Sequence, residues 1–167
     1  LAAGLLRVAG WKPGMVLFDP MCGSGTILAE AAQMLAGIPA GSRRRCAFEK
    51  FHEFDADAWL AMKGGFKPNP LPATPTIFGS DISGDMIAMT RHNLQRAGIQ
   101  FEVPLKQIEA QEVKPPTETP GILLTNPPYG ERIGVRGDST IDSDEMAQSF
   151  FSAFGTTLKQ RFAGWSV

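Results

Sequence analysis

Three short apolar runs, each ending on a polar residue, constrain this chain more than any other feature. Met15-Val16-Leu17-Phe18 ends on Asp19, Thr76-Ile77-Phe78-Gly79-Ser80 on Asp81, and Gly121-Ile122-Leu123-Leu124-Thr125 on Asn126. Continuous apolar runs of this length suit strands buried on both faces. Stretches with helical spacing separate them. Thr26 to Leu35 places Ile27, Leu28, Ala31 and Leu35 on one face, with Gly37 as its stop. Ser83 caps a second helix, which runs to about Ala97 with Ile87, Thr90, Leu94 and Ala97 inward and stops at Gly98. Asp142 or Ser143 opens a third, carrying Met146, Phe150, Phe154, Leu158 and Phe162 one turn apart. Leu1 to Val8 reads as a helix end, Phe101 to Ile108 as a weaker strand disturbed by Pro104, and Trp165 as the start of another strand. This alternation predicts an α/β fold, a mostly parallel sheet covered by helices on both faces.

Residues 38–75 interrupt the pattern. A helix over Asp55 to Met62, closed by Gly64-Gly65, is the only regular piece expected there, because Lys67-Pro68-Asn69-Pro70-Leu71-Pro72 excludes a helix or strand. The segment reads as an insertion between core elements. It holds the one dense basic cluster, Arg43-Arg44-Arg45, which is either a solvated loop or a phosphate contact. The formal net charge of the chain is only −1, so a nucleic-acid partner would need help from elsewhere. Two cysteines, Cys22 and Cys46, lack metal-type spacing and suggest reduced thiols in a cytoplasmic protein. No stretch is apolar for long enough to cross a membrane.

In open α/β sheets, ligands bind beyond the carboxyl ends of the strands. The polar residues at those ends are therefore the candidate site. Asp19-Pro20-Met21-Cys22-Gly23-Ser24-Gly25-Thr26 joins a strand to a helix by a tight turn whose backbone can approach a ligand. A P-loop would need Gly-Lys-Ser/Thr, and a dinucleotide fingerprint would need Gly or Ala where Leu28 stands. The loop suits a cationic or hydroxyl-rich ligand, or is a tight turn with no ligand. Asp81 can accept two ribose hydroxyls. Glu109, in Gln107-Ile108-Glu109-Ala110, is either an acceptor for an adenine amine or a surface residue.

Asn126-Pro127-Pro128-Tyr129 makes a stiff polar pocket with a stacking face. The prolines fix φ and remove two backbone donors, which leaves nearby carbonyls as acceptors. Two acceptors on one –NH2 hold its protons and turn its lone pair out of the plane, as in-line attack on a methyl group requires. The tyrosine ring can stack on a planar base.

Together these residues resemble the class I S-adenosylmethionine-dependent methyltransferases, with their Rossmann-like fold, and within them the exocyclic amino methyltransferases with an Asn/Asp-Pro-Pro-Tyr motif. Phe18 to Thr26, Asp81 with its helix, and Asn126 to Arg132 are most similar to the RNA methylase family whose members carry a THUMP RNA-binding domain, including bacterial 23S rRNA guanine-N2 methyltransferases. The resemblance implies one partial catalytic domain over residues 1–167, an RNA-binding domain upstream, and further strands downstream. It implies S-adenosylmethionine as cofactor, S-adenosylhomocysteine as product, ribosomal RNA as partner, and no metal. Asp19, Pro20, Cys22, Gly23, Ser24, Gly25 and Thr26 would hold the methionine part of the cofactor. Asp81 and Ile82 would hold the ribose side, and Glu109 and Ala110 the adenine. Asn126, with the Pro127 carbonyl, Pro128 and Tyr129, would grip the amine and stack on the base. Glu109 stands where many relatives have Asp. Alternative activities with the same motif are tRNA guanine-N2, DNA adenine-N6 and protein glutamine-N5 methylation; a silent RNA-binding scaffold is the alternative without catalysis.

Overall fold

The computed structural model describes residues 1–127 and 143–167. Helices α1 (Ala2–Val8), α2 (Thr26–Ala36), α3 (Ala56–Gly64), α4 (Gly84–Ala97) and α5 (Ser143–Arg161) alternate with strands β1 (Leu17–Asp19), β2 (Ile77–Asp81), β3 (Leu105–Gln107) and β4 (Ile122–Leu123). The four strands form one sheet in the order β3-β2-β1-β4, and every pair is parallel. Leu17 stands opposite both Ile77 and Ile122, which places β1 at the centre. Ser166 adds a parallel bridge to Ile122 at the outer side of β4, where the sequence predicts a further strand.

The strands are short but their period of two is clear. Leu17 packs in a cluster with Leu6, Leu28, Ala31, Ile77, Ile87 and Leu94, from α1, α2, β2 and α4. Its neighbour Phe18 faces the other way, into Val113, Leu123, Phe154 and Phe162. The sheet is thus covered on both faces, by α1, α2 and α4 on one and α5 on the other. Phe18 and Phe162 stack at 6.0 Å with their rings 10° from parallel. Of the predicted stripe on α5, Phe154 and the following Phe162 are buried, with Phe150 and Leu158 packed beside them. The Thr157 hydroxyl donates to Gln111 O at 2.6 Å, and the Arg161 guanidinium donates to Glu112 O at 2.8 Å, which fixes α5 against the Ala110–Glu112 turn.

The caps explain the helix boundaries. Ser83 Oγ accepts from Met86 N, and Asp55 Oδ1 accepts from Ala58 N at 2.9 Å. α2 and α4 end on left-handed glycines, Gly37 and Gly98. Two strands are shorter than the sequence suggests. β3 begins only after Pro104, which cannot donate to a ladder but whose carbonyl accepts from Gly79 N at 3.1 Å. β4 covers two residues, although pairing continues through Leu124 N–H to Phe18 O at 3.0 Å. Beyond it the Thr125 side chain bonds across to β1 instead of extending the ladder.

The insertion leaves α2 and returns to β2, so it lies at the amino ends of the strands. α3 buries none of its residues. One tether to the core is Asn69: its backbone N–H donates to Ala36 O at 3.0 Å and its amide to Leu35 O at 3.1 Å, satisfying carbonyls at the end of α2.

Candidate functional site

The site lies at the opposite, carboxyl edge of the sheet. Asp19 ends β1, Asp81 ends β2, and Glu109 and Asn126 follow β3 and β4. Parallel pairing with β1 central brings the first two and the Asn126 segment side by side.

The glycine loop is held from several directions. Cys22 N donates to Ser80 O at 2.9 Å, and Ser80 Oγ donates to Pro20 O at 3.3 Å, tying the loop to β2. The Gly23 N–H donates to Asp81 Oδ2 at 2.9 Å, while Asp81 Oδ1 accepts from Ser83 N at 2.9 Å. From α4, Thr90 Oγ1 donates to Gly23 O at 2.7 Å and Asn93 Nδ2 to Ser24 O at 2.9 Å. Gly25 then takes φ +79°, and a Cβ there would sit 2.5 Å from the Thr90 methyl. Only glycine meets both demands. Among the described residues no side chain caps α2 behind this loop, which makes its first-turn N–H groups candidate donors to a ligand.

Asp19 is 2% exposed. Its Oδ1 accepts from the Thr125 hydroxyl at 2.7 Å and from Met21 N at 3.2 Å. Burial pushes its carboxyl up to about 7; the bonds from Thr125 and Met21 pull the other way, and the charge of Asp81 adds a further upward push. The group is thus poised near neutrality. Burial also pushes the Cys22 thiol up to about 12, which makes Cys22 a small packing residue and not a nucleophile.

The remaining expected residues divide. Ile82 is 63% exposed, an apolar surface directly beside Asp81 at the site edge. Ser24 is half-buried and Thr26 exposed, with their hydroxyls 3.4 Å apart. Glu109 is exposed and follows Ile108, whose N–H donates to Asp81 O at 3.0 Å. Ala110 is buried in the cluster under α5, so its side chain faces the core. Asn126 is exposed and Pro127 half-buried. Pro128 and Tyr129, with Gly130-Glu131-Arg132, lie outside the described residues. Four contributors escape a reading of strand ends alone: Thr125, Ser80, Thr90 and Asn93. Asn93 follows Thr90 by three positions on α4, so two polar side chains share the face turned to the loop. That spacing was the available signal.

This set can hold a ligand that combines a cationic part, a vicinal diol and a flat ring. Among the described residues each carboxylate oxygen of Asp81 has one bond, with room for another. Gly23 and Ser24 carbonyls are fixed, and the open end of α2 faces the same side. Among the described residues no helix is long and apolar enough to cross a membrane, and no cluster of His, Cys, Asp and Glu could hold a metal.

Known proteins resemble this chain in sequence and in fold. The Ribosomal RNA large subunit methyltransferase K/L of Psychromonas ingrahamii is 39% identical over all of this chain, which spans 22% of that protein. SMU.472, a proposed methyltransferase solved in complex with SAH, superposes with a TM-score of 0.77 at 28% identity over 98% of this chain and 41% of its own. A protein from Listeria monocytogenes, assigned from its sequence as an N6-adenine-specific DNA methylase, gives a TM-score of 0.78 at 28% identity over 96% of this chain and 40% of its own. The chain therefore spans about a fifth of the first relative and about two fifths of these structures. The family model of the RMKL-like methyltransferase domain matches residues 1–167. With its parallel sheet, its anchored glycine loop, the acid on the next strand and the Asn-Pro-Pro-Tyr segment after β4, the chain belongs to the family of RMKL-like methyltransferase domains.

Proposed function

We propose that this domain is the catalytic part of an S-adenosylmethionine-dependent RNA methyltransferase whose acceptor is an exocyclic amine, guanine N2 of 23S rRNA. One observation carries the reading. The Thr125 hydroxyl, next to Asn126, is bonded to Asp19, which opens the glycine loop. The segment that would grip the acceptor amine is joined to the segment that would hold the methyl donor.

The donor supplies an electrophilic methyl on a sulfonium, and transfer leaves S-adenosylhomocysteine. The protein's part is positioning. Asp81 accepts ribose hydroxyls while its existing bonds from Gly23 N and Ser83 N keep both oxygens in place. Ile82 offers an apolar face to the adenine. Asp19 and the open end of α2 hold the methionine part. The Asn126 side-chain carbonyl and the Pro127 carbonyl accept hydrogen bonds from the two N–H groups of the target –NH2, so the nitrogen lone pair points at the methyl group. The N–CH3 bond forms as the S–CH3 bond breaks, and the amine then releases a proton to solvent. Tyr129 stacks on the base, which must leave its helix or loop to enter.

The experiment is methylation of rRNA by the full-length protein, with the modified nucleoside identified by mass spectrometry. N2-methylguanosine is the expected product. Asn126→Ala is expected to abolish transfer while S-adenosylhomocysteine still binds, and Asp81→Ala to weaken that binding first. Loss of cofactor affinity alone in both variants sinks the amine-gripping role. The likeness to a protein assigned as a DNA adenine methylase favours one second reading, transfer to adenine N6. N6-methyladenine in the product would establish it in place of the first.

A further inference from the structure

The Arg43-Arg44-Arg45 cluster plays no part in the site above. It belongs to the insertion, at the other end of the sheet. α2 separates the two places, from Gly25 at the loop to Gly37 beside the insertion, and its 11 residues span about 16 Å. The three arginines are not equivalent. Arg43 lies across the end of α4, where a Cβ on Gly98 would come 2.7 Å from Arg43 Nε. A cation there complements the carbonyl end of the helix. All three are exposed, but only Arg44 and Arg45 stand on the wall of a cleft of about 450 Å³.

The rest of that cleft has a definite chemistry. Lys63 lines it, with Nζ 4.7 Å from the centre of the Trp59 ring. Phe48, Trp59 and Phe66 supply aromatic surface. Phe48 is 40% and Phe66 53% exposed, and Phe48 meets Trp59 edge to face at 5.0 Å. Among the described residues no carboxylate lines the cleft. The nearest acid in sequence, Glu49, is engaged with Cys46 N at 2.9 Å. The Trp59 indole N–H is buried without a partner among the described residues, a donor the fold leaves unsatisfied.

We infer that this cleft binds single-stranded RNA away from the target base, with Arg44, Arg45 and Lys63 on phosphates and Phe48, Trp59 and Phe66 against an unstacked base. This rests on the reading of the catalytic site as RNA-directed. Cations without acids favour a polyanion over an apolar protein partner. Aromatic faces inside a recess favour an unpaired base over a duplex, whose bases are already stacked. The cluster also gives a chain of net charge −1 a local means of holding RNA.

The test uses the full-length protein and a fluorescein-labelled single-stranded oligo(U), read by anisotropy across a salt series. Arg44→Gln combined with Arg45→Gln is expected to weaken binding roughly tenfold or more and to flatten the slope of log K against log salt by about 1.4, near 0.7 for each phosphate no longer neutralised. Phe66→Ala is expected to weaken binding at least ~5-fold without changing that slope, as removal of one stacking face does. In methyl transfer to rRNA, KM for RNA rises while kcat and S-adenosylhomocysteine affinity hold. Wild-type affinity and slope in the arginine variant overturn the inference, including the case where that variant instead detaches from another protein domain. If the variants behave as wild type while rRNA is still methylated, the cleft assignment fails and the catalytic reading stands. A wild-type protein that binds neither RNA nor S-adenosylhomocysteine overturns both.

Discussion

The Thr125 hydroxyl donates to Asp19 Oδ1 at 2.7 Å, across 106 residues of sequence. It joins the ends of β1 and β4, the two strands that carry the glycine loop and the Asn126 segment. Thr125→Val keeps the shape but leaves a buried carboxyl with one fewer donor. The expected cost is about 1–3 kcal/mol of stability, read from the denaturant midpoint. Thr125→Ser keeps the hydroxyl and should recover most of that loss and of kcat. If Val and Ser behave alike, the bond has no positioning role.

The carboxyl of Asp19 gives the fold a pH dependence of defined sign. Its folded value of about 7 lies above the ordinary value of 3.8, so the unfolded chain releases this proton first as pH rises. The native state then holds more protons, and stability falls between about pH 4 and pH 7 and levels off above. The full contribution is at most about 4 kcal/mol, from ~1.4 kcal/mol per pH unit. Comparing wild type with Asp19→Asn by urea denaturation across that range isolates it. The wild type should lose stability relative to the variant as pH rises; a constant difference would show that Asp19 ionises normally.

The ammonium group of a bound methionine moiety beside Asp19 would favour its charged form, with or without the sulfonium. S-adenosylhomocysteine binding near pH 6 should therefore release a proton, seen calorimetrically as a binding enthalpy that varies with buffer ionisation enthalpy. Asp19→Asn should abolish that variation. Proton release that survives the substitution would assign the titration to another group.

Gly25 is fixed by two independent constraints, its φ of +79° and the Thr90 methyl 2.5 Å from a hypothetical Cβ. Gly25→Ala should cost about 1–2 kcal/mol for the left-handed backbone alone, with the collision added. Thr90→Ser removes the methyl but keeps a hydroxyl for Gly23 O. The double variant should be more stable than the sum of the single effects predicts, as neighbours that share a clash behave. Strict additivity in thermal melts would show that the collision relaxes at no cost.

Cys22 should resist alkylation in the folded protein. Its thiol is buried and pushed up to about 12, so almost no thiolate exists at neutral pH. Site-resolved mass spectrometry after iodoacetamide treatment should find Cys22 modified only on unfolding. Rapid native labelling at Cys22 would mean that the glycine loop opens.

Local sequence carried the elements because their signals are local. Leu17 and Phe18 in a continuous apolar run required two covered faces, and Ser83 and Asp55 marked helix starts through bonds made within three residues. The strand-end acids were visible because an α/β sheet has one ligand-binding edge. The lengths of β3 and β4 were not, since they depend on partners that a run of apolar residues does not name.

By itself the sequence determined the alternating α/β order, the glycine turn after Asp19, the acid at Asp81 and the Asn126 segment. Only the tertiary structure decided how these are joined. It put Thr125 on Asp19, Thr90 and Asn93 on the loop carbonyls, and Gly23 N–H on Asp81. It also separated Arg43, which lies against the end of α4, from Arg44 and Arg45, which line a cleft. These links span tens to a hundred residues, and such pairings are set by strand order and helix packing, which no local pattern encodes.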